Sequence, residues 1–245
     1  MANGIWEFHG ILQKRSLTLM GMMMVAGLAI TGRADAGITT FIGSDGGAGP
    51  GDPRPNSDAA AASFDAAASA LGTEGLVNFE SAPLGSFSSL TVAPGLTISG
   101  STGTIVNAPT GTPADLYGYN TTPGGSQFLS LYGGSSTFTF SQGVNSFGAY
   151  LSGVQFGYET ITFSDGSSES VSIPDPSGDA GIDFVGFTDT GPLIASVTIN
   201  ASNDIIGVDD VRYGPTSVPE PASLGLVAIG SIGLLGRRRS KENAN

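Results

Sequence analysis

Short apolar runs that alternate with polar residues fill the chain after residue 72. In segment 159–164 (ETITFS), Ile161 and Phe163 alternate with polar residues, which is typical of a strand with one buried face. Asp165-Gly166 follows directly, and the alternation resumes at 170–173 (SVSI), so this stretch predicts a β-hairpin. The pattern therefore predicts sheet structure for most of the chain.

One earlier segment has helical character. Residues 58–71 (DAAAASFDAAASAL) are rich in alanine, with Asp58 as the predicted N-cap and Gly72 as the stop. We expect an all-β fold, a β-sandwich or jelly roll with one short N-terminal helix, because many short strands alternate with turns and no fixed-period repeat is present. The predicted strands are 76–79, 96–99, 103–106, 128–131, 137–140, 147–151, 160–163, 170–173, 184–187, 195–200 and 206–213.

The N-terminal residues 1–36 have the layout of an export signal. Lys14 and Arg15 precede an apolar stretch, 17–30, and Ala34-Asp35-Ala36 follows with the small-x-small pattern that signal peptidase cleaves. A short membrane anchor or a buried helix is the alternative, but the apolar stretch is short for a membrane span. We therefore expect cleavage by signal peptidase after Ala36.

The C-terminal segment, residues 217–245, combines three ordered features. A Pro-Glu-Pro sequence interrupts any preceding helix, the segment 222–235 is uncharged and rich in glycine, and an arginine run follows it. The residues of the two polar features are Val218, Pro219, Glu220, Pro221, Arg237, Arg238 and Arg239. We expect an apolar helix here that enters the inner membrane, at least before processing.

These three features together resemble the PEP-CTERM sorting signal of Gram-negative bacteria. The resemblance implies recognition by an exosortase-type membrane protease and delivery to the cell surface or to an exopolysaccharide matrix. The same tail is also labelled an ice-binding-protein C-terminal motif, a label that describes a tail and no binding face. A plain C-terminal membrane anchor is the alternative interpretation.

The segment between the two terminal regions contains few of the residue types that catalyse reactions or bind metals. Between residues 37 and 216 it carries seventeen acidic residues against two basic ones, Arg54 and Arg212, a net charge of about -15. Such acidity argues against nucleic-acid binding. The segment lacks His, Lys and Cys, which excludes a Ser-His-Asp triad, Schiff-base chemistry and thiolate metal sites. Carboxylate-based glycoside hydrolysis and calcium binding through oxygen ligands remain.

The same segment resembles carbohydrate-binding jelly-roll modules at its two ends. The alanine-rich segment together with 77–80 (VNFE), 147–150 (FGAY), 184–187 (FVGF) and 206–211 (IGVDDV) resembles a recurrent PEP-CTERM cargo domain. The resemblance to the carbohydrate-binding modules is carried by the Phe-Glu at 79–80 and the Asp-Asp-Val at 209–211. It implies that the first and last strands lie side by side and that Glu80, Asp209 and Asp210 hold a structural calcium ion. Alternation along a strand would point Asp209 and Asp210 to opposite faces, so only one of them is expected as a ligand beside Glu80. The alternative is that these are edge charges that deter aggregation.

Two further groups of residues are candidates for binding. Asp175, Asp179 and Asp183 have a four-residue spacing that could gather around an ion, but the segment departs from the EF-hand pattern and fits a solvated turn better. Aromatic residues flanking turns could stack on sugar rings or could instead cap the core. These aromatic residues are Tyr117, Tyr119, Tyr132, Phe156 and Tyr158.

Threonines at every second position suggest another surface. Segments 137–139 (TFT) and 160–162 (TIT) would contribute to an ice-binding face if regular Thr-x-Thr ranks lay on a flat sheet, although outward threonine is ordinary in strands.

The predicted organisation has four parts: signal peptide (1–36), flexible lead-in (37–57), sandwich body with its leading helix (58–216) and sorting segment (217–245). The predicted function is that of an exported, non-catalytic surface or matrix protein that binds exopolysaccharide and calcium. A secreted glycosidase-like hydrolase is the alternative.

Overall fold

Twelve strands and one α-helix form the fold in the computed structural model, which describes residues 37–109, 111–155, 157–174 and 180–214. This confirms the predicted all-β class with one short N-terminal helix. The helix α1 is Pro55–Ser69, and a single 3-10 turn covers Ala114–Leu116. The strands are β1 Ile38–Gly46, β2 Gly75–Val77, β3 Gly85–Ser86, β4 Ser89–Ala93, β5 Leu96–Gly100, β6 Gly103–Val106, β7 Phe128–Val144, β8 Ser146–Ser152, β9 Tyr158–Phe163, β10 Ser168–Ser172, β11 Gly181–Asp189 and β12 Ile194–Gly214.

Two long antiparallel strands, β7 and β12, connect all the others. The main strand order is β1-β11-β8-β12-β7-β5-β4, with β9 and β10 attached beside β12 and with β6 beside β7. The first half of β12 pairs with β9, and its second half pairs with β8. Each long strand therefore contributes to both layers of a sandwich.

Aromatic side chains fill the space between the two layers. Phe138 of β7 lies against Phe147 of β8 with ring centroids 5.4 Å apart, and Phe147 stacks on Phe187 of β11 at 5.7 Å. Phe140 contacts Tyr213 at the other end of the same core. These rings are largely buried, so burial of apolar area holds the layers face to face.

The helix α1 covers the outer face of the layer that contains β1, β11 and β8. Phe64, fully buried, lies between Phe41 and Phe184 with centroid distances of 5.9 and 5.5 Å. A Cβ atom on Gly186 would lie 2.8 Å from Cδ2 of Phe64, so glycine is required there for the helix to approach the sheet.

The beginning of α1 differs from the sequence prediction. The helix begins at Pro55 with Arg54 as N-cap, and Asp58 lies within the first turn. The carboxylate that accepts hydrogen bonds from the free N–H groups belongs to Asp45 of β1, which is 2.8 Å from the Ser57 nitrogen and 3.1 Å from the Asn56 nitrogen. Burial would raise the pKa of Asp45, but the hydrogen bonds from Ser57 and Asn56 outweigh it and lower the pKa.

The two basic residues of the segment 37–216 tie α1 to the sheet. Arg54 forms an ion pair with Asp58 at 3.0 Å, and Arg212 of β12 forms one with Asp65 at 3.1 Å. Both guanidinium groups also lie over the ring of Tyr150, at 4.3 and 5.2 Å from its centroid. Tyr150 lies on β8, and its hydroxyl donates a hydrogen bond to Asp58 of α1. The two guanidinium groups over its ring therefore help to dock the helix on the sheet.

Other boundaries also differ from the expected ones. Within the lead-in expected at 37–57, residues 38–46 form strand β1, which pairs with β11 over its whole length. The strands expected at 128–131 and 137–140 are one strand, and so are those expected at 195–200 and 206–213. Within the described residues, no helix has the length and apolarity that crossing a bilayer requires.

One carboxyl group lies in the core without a partner. Glu159 of β9 shares the inward face with Ile161 and Phe163 and is fully buried, and within the described part of the chain neither of its carboxylate oxygens has a hydrogen-bond partner. Burial raises the pKa of Glu159 to about 8. The folded protein therefore holds this proton through a pH range in which the unfolded chain, with an ordinary glutamate pKa, has released it.

This arrangement predicts a specific dependence of stability on pH. Because the folded-state pKa is raised, the stability of the native protein should fall as pH rises from about 4.5 to about 8. Glu159→Gln removes the cost of ionisation and should raise the free energy of unfolding at pH 8 by roughly 4 kcal/mol, with little change near pH 4. Thermal melts across this pH range measure the effect.

The matched control is Glu169→Gln on the neighbouring strand β10, where the side chain is exposed. It should keep the pH dependence of the wild type. Equal slopes for the two variants would contradict a buried, protonated Glu159.

Candidate functional site

The three predicted carboxylates all bind one loop, residues 120–127. Asp209 and Asp210 lie near the end of β12, and Glu80 follows β2, which pairs with β12 at Val211. The first and last strands of the predicted body therefore lie side by side, as the sequence resemblance implied. The carboxylates hold the loop at two separate places.

At the first place, both aspartates accept hydrogen bonds from Thr121 and Thr122. The Asp209 carboxylate oxygen Oδ2 accepts from the Thr121 nitrogen at 2.8 Å and from the Thr122 nitrogen at 3.1 Å. The Thr122 hydroxyl donates to Asp210 Oδ1 at 2.8 Å, and the Thr121 hydroxyl lies 3.3 Å from Asp210 Oδ2. We call these four residues the Asp-Thr corner.

Sequence alternation predicted opposite faces for Asp209 and Asp210, and that expectation is wrong. The pairing of β12 with β8 shifts register between Asp209 and Arg212, which marks a β-bulge. Asp210 has a φ of 46°, in the left-handed region, where aspartate and asparagine are the more frequent residues after glycine. The bulge turns both carboxylates toward the same pair of threonines.

The electrostatics of the Asp-Thr corner disfavour two charges. Burial and the neighbouring Asp210 carboxylate raise the pKa of Asp209 to about 7, although the backbone N–H groups of Thr121, Asp210 and Thr122 oppose this. A bound cation would offset the repulsion between the two carboxylates, because its positive charge stabilises the ionised form of Asp209. The corner therefore has chemistry suited to a cation near neutral pH.

At the second place, Glu80 anchors the far end of the loop. Its Oε1 atom accepts hydrogen bonds from the Ser126 and Gln127 nitrogens, both at 2.9 Å. The Gln127 side chain in turn donates to the Glu80 carbonyl oxygen at 2.9 Å. Glu80 thus acts as a hydrogen-bond acceptor for backbone groups.

The fit to a calcium site is partial. Two carboxylates and two hydroxyls meet at the Asp-Thr corner, which are oxygen ligands of the kind that calcium prefers. Across 37–109, 111–155, 157–174 and 180–214, however, no three His, Cys, Asp or Glu side chains form a group that could hold a metal ion. Backbone carbonyls or water would have to complete the six to eight ligands of calcium.

Beside this corner lies a cleft of about 370 Å³, between segment 49–52, Arg54 and loop 119–125. Arg54 donates a hydrogen bond to the Thr121 carbonyl oxygen at 3.2 Å. Asp52 and Asn120 also line it, and the buried amide oxygen of Asn120 has no hydrogen-bond partner among the described residues. The cleft is large enough to hold a small ligand, and both positively and negatively charged side chains line it.

The predicted aromatic residues differ in how far their side chains are exposed to solvent. Tyr119 is buried, and its hydroxyl donates to the Ala48 carbonyl oxygen, so it caps part of the core. Tyr132 is 70% exposed, and Tyr158 of β9 is 40% exposed. Tyr117 lies between these extremes, and Phe156 falls outside the described residues.

Several predicted sites lie outside the described residues. They are the cleavage site at Ala34 and Ala36, the carboxylates Asp175 and Asp179, and the whole sorting segment 217–245. Asp183, the third carboxylate of that loop, is buried on β11. Sequence reasoning missed Thr121 and Thr122, because no local pattern distinguishes these loop residues from other polar turns.

Comparison with known proteins identifies the C-terminal segment. Residues 217–239 match the PEP-CTERM protein-sorting motif, which covers all the sorting residues predicted from the sequence. A comparison with curated protein sequences finds no match.

Solved structures that show some similarity to this chain have low sequence identity to it. The K2 cleaved adhesin domain of Lys-gingipain is 12% identical, with a TM-score of 0.38, over 58% of this chain and 98% of that domain. A family 6 carbohydrate-binding module is 14% identical, with a TM-score of 0.28, over 46% and 93% of the two chains. The enzymatically active domain of bacteriophage CBA120 tailspike protein 4 is 18% identical, with a TM-score of 0.30, over 49% of this chain and 19% of that one.

This chain therefore spans about a fifth of the tailspike chain. These likenesses concern the fold alone. The sorting motif is the feature that indicates a biological destination: the chain carries a PEP-CTERM signal, and such a signal indicates export and sorting to the cell surface.

Proposed function

We propose that this protein is an exported surface or matrix component that an exosortase-like protease processes and whose sandwich binds a polysaccharide without cleaving it. The sorting motif at 217–239 carries the first part of the proposal. The cleft beside the Asp-Thr corner supports the second part, together with the resemblance of the strand ends to carbohydrate-binding modules.

The cleft offers the groups that hydroxyl-rich ligands need. The Arg54 guanidinium is a hydrogen-bond donor, the Asp52 carboxylate is an acceptor, and the Asn120 side chain adds an amide group. Loop 120–127 is held at both ends by buried or partly buried carboxylates, so the cleft wall is set before a ligand arrives. Preorganisation of this kind favours binding.

The net charge of the segment 37–216 indicates which class of polysaccharide it can bind. A segment with a net charge of about -15 repels acidic polymers unless a cation bridges them. A neutral polysaccharide, or an acidic one bridged by calcium, therefore suits this surface best.

A glycosidase-like hydrolase is the second candidate, because two carboxylates suffice for that chemistry. Asp209 and Asp210 are adjacent in sequence and both bind Thr121 and Thr122, which suits loop anchoring. Their role as acceptors for the loop favours a binding protein over a hydrolase.

Polysaccharide binding predicts retention without turnover. Matrix polysaccharide from the host should retain the wild-type protein while the number of reducing ends stays constant. Asn120→Leu removes a polar group from the cleft and should weaken retention severalfold, whereas Gln142→Leu, a change of similar kind at an exposed position outside the cleft, should not. Co-sedimentation and a reducing-sugar assay measure both quantities.

New reducing ends that appear with the wild type would favour the hydrolase instead. Equal retention of the two variants would remove the cleft as the binding site.

We further propose that calcium binds at the Asp-Thr corner, where it would relieve the repulsion between Asp209 and Asp210. Burial and the neighbouring Asp210 raise the pKa of Asp209 to about 7, so this carboxyl group must lose its proton for the ion to bind. Calcium affinity should therefore increase between pH 6 and pH 8.

Thermal melts with calcium and with chelator test this proposal. The midpoint should be higher in calcium, the difference should be larger at pH 8 than at pH 6, and Asp210→Asn should abolish it. Asp165→Asn, in an exposed turn, is the matched control and should keep the wild-type difference. Identical midpoints with and without calcium at pH 8 would rule out the proposed ion.

A further inference from the structure

One outward face of the sandwich carries only hydroxyl side chains in two ranks across six strands. Backbone pairing aligns these residues in the order β4, β5, β7, β12, β9, β10. The first rank is Thr91, Thr97, Thr139, Ser196, Thr162 and Ser168. The second rank is Ser89, Ser99, Thr137, Thr198, Thr160 and Ser170. We call these residues the hydroxyl face.

The intervening residues show which way the hydroxyl face points. Ile98, Phe138 and Val197, which alternate with the hydroxyl residues on β5, β7 and β12, are fully buried in the core. The hydroxyl residues therefore point away from the core. The helix α1 packs on β1, β11 and β8, which belong to the opposite layer.

Neighbouring hydroxyls are close enough to confirm the alignment. The Thr137 and Thr198 hydroxyls share a hydrogen bond at 2.9 Å, and those of Thr91 and Thr97 lie 3.3 Å apart. Each threonine presents a methyl and a hydroxyl group in a restricted rotamer, because its β-branch limits rotation about χ1. Seven of the twelve residues are threonines, and they give the face methyl groups between its hydroxyls; the other five are serines, which contribute hydroxyls alone.

Sheet geometry fixes the spacing of this array in two directions. Hydroxyl residues repeat at about 4.8 Å across the strands and at about 6.7 Å along each strand, because side chains alternate along it. The oxygen atoms of an ice surface also repeat in two directions at spacings of the same order. The hydroxyl face, whose hydroxyl groups repeat in two directions, can therefore match a ligand whose polar atoms also repeat in two directions.

Charge and composition select among possible occupants of the hydroxyl face. Neither rank contains a charged residue, although the segment 37–216 has a net charge of about -15. That net charge makes a second copy of this chain unfavourable as a partner. Neither rank contains an aromatic ring, the group on which sugars stack. The ring that borders the face is that of Tyr158, two residues before Thr160, and its hydroxyl accepts a hydrogen bond from Asn200. A neutral lattice of water molecules requires neither charges nor rings.

We propose that the hydroxyl face adsorbs to ice. Strands in a sheet are rotated by about 20–25° relative to their neighbours, so a rigid crystal plane meets the central strands first. The contact therefore centres on Thr137 and Thr139 of β7 and on Ser196 and Thr198 of β12. The proposal is independent of the cleft and of the polysaccharide that we assign to it.

The test uses the protein as it is recovered from its host, partitioned between slowly growing ice and the remaining liquid. The wild type should be enriched in the ice and should shape growing crystals into facets. Thr137→Lys and Thr198→Lys place charges at the centre of the face and should each reduce the enrichment severalfold. Ser63→Lys, on the exposed surface of α1, should leave it unchanged.

Thr198→Val keeps the β-branched shape that suits a strand and removes one partly exposed hydrogen bond, so its melting midpoint should stay within a few degrees of that of the wild type. It should still reduce enrichment in ice. A wild type excluded from ice like an ordinary soluble protein would overturn the proposal. So would lysine variants that bind ice as the wild type does, or that lose retention on polysaccharide while their behaviour on ice stays the same.

Discussion

The antiparallel pair of β7 and β12 is the constraint on which the rest of the structure depends. Both strands pass from one layer of the sandwich to the other, and they remain paired on both sides of an irregular region between Asn200 and Ile205. Gly133 and Gly134 have φ values of 59° and 65°, and Ser202 has 54°, so the bend is built from left-handed backbone conformations. The bulge releases local pairing and lets the pair change direction.

Each half of β12 supplies a different surface. Its first half places Ser196 and Thr198 at the centre of the hydroxyl face, while Val197 faces the phenylalanine core. Its second half carries Asp209 and Asp210 to loop 120–127 and brings Arg212 to the helix. A single strand thus links the core, the cleft wall and the docked helix.

The sequence pattern correctly predicted those features that depend on residues close together in the chain. The alternation at 159–164 correctly indicated a strand with Ile161 and Phe163 inward, and it placed Glu159 on the same inward face. It could not show that 128–131 and 137–140 form one strand, because Gly133 and Gly134 resemble a turn in sequence. Strand β1 was missed because its stabilisation comes from pairing with β11, about 140 residues away.

The candidate site was only partly predictable for the same reason. Glu80, Asp209 and Asp210 were identified from short motifs, and the structure brings all three to one loop. The convergence of Asp209 and Asp210 depends on a bulge, and Thr121 and Thr122 reach them across nearly 90 residues of chain. The capping of α1 by Asp45 instead of Asp58 is likewise a tertiary contact that helix propensity does not contain.

The central claim is that this chain is exported and then sorted through its C-terminal signal. The most direct measurement is the intact mass of the protein from each cell fraction of its host. The account predicts a species that begins near residue 37 and ends near Pro219, found at the cell surface or outside the cell. A species that extends to Asn245 and stays in the inner membrane would contradict it.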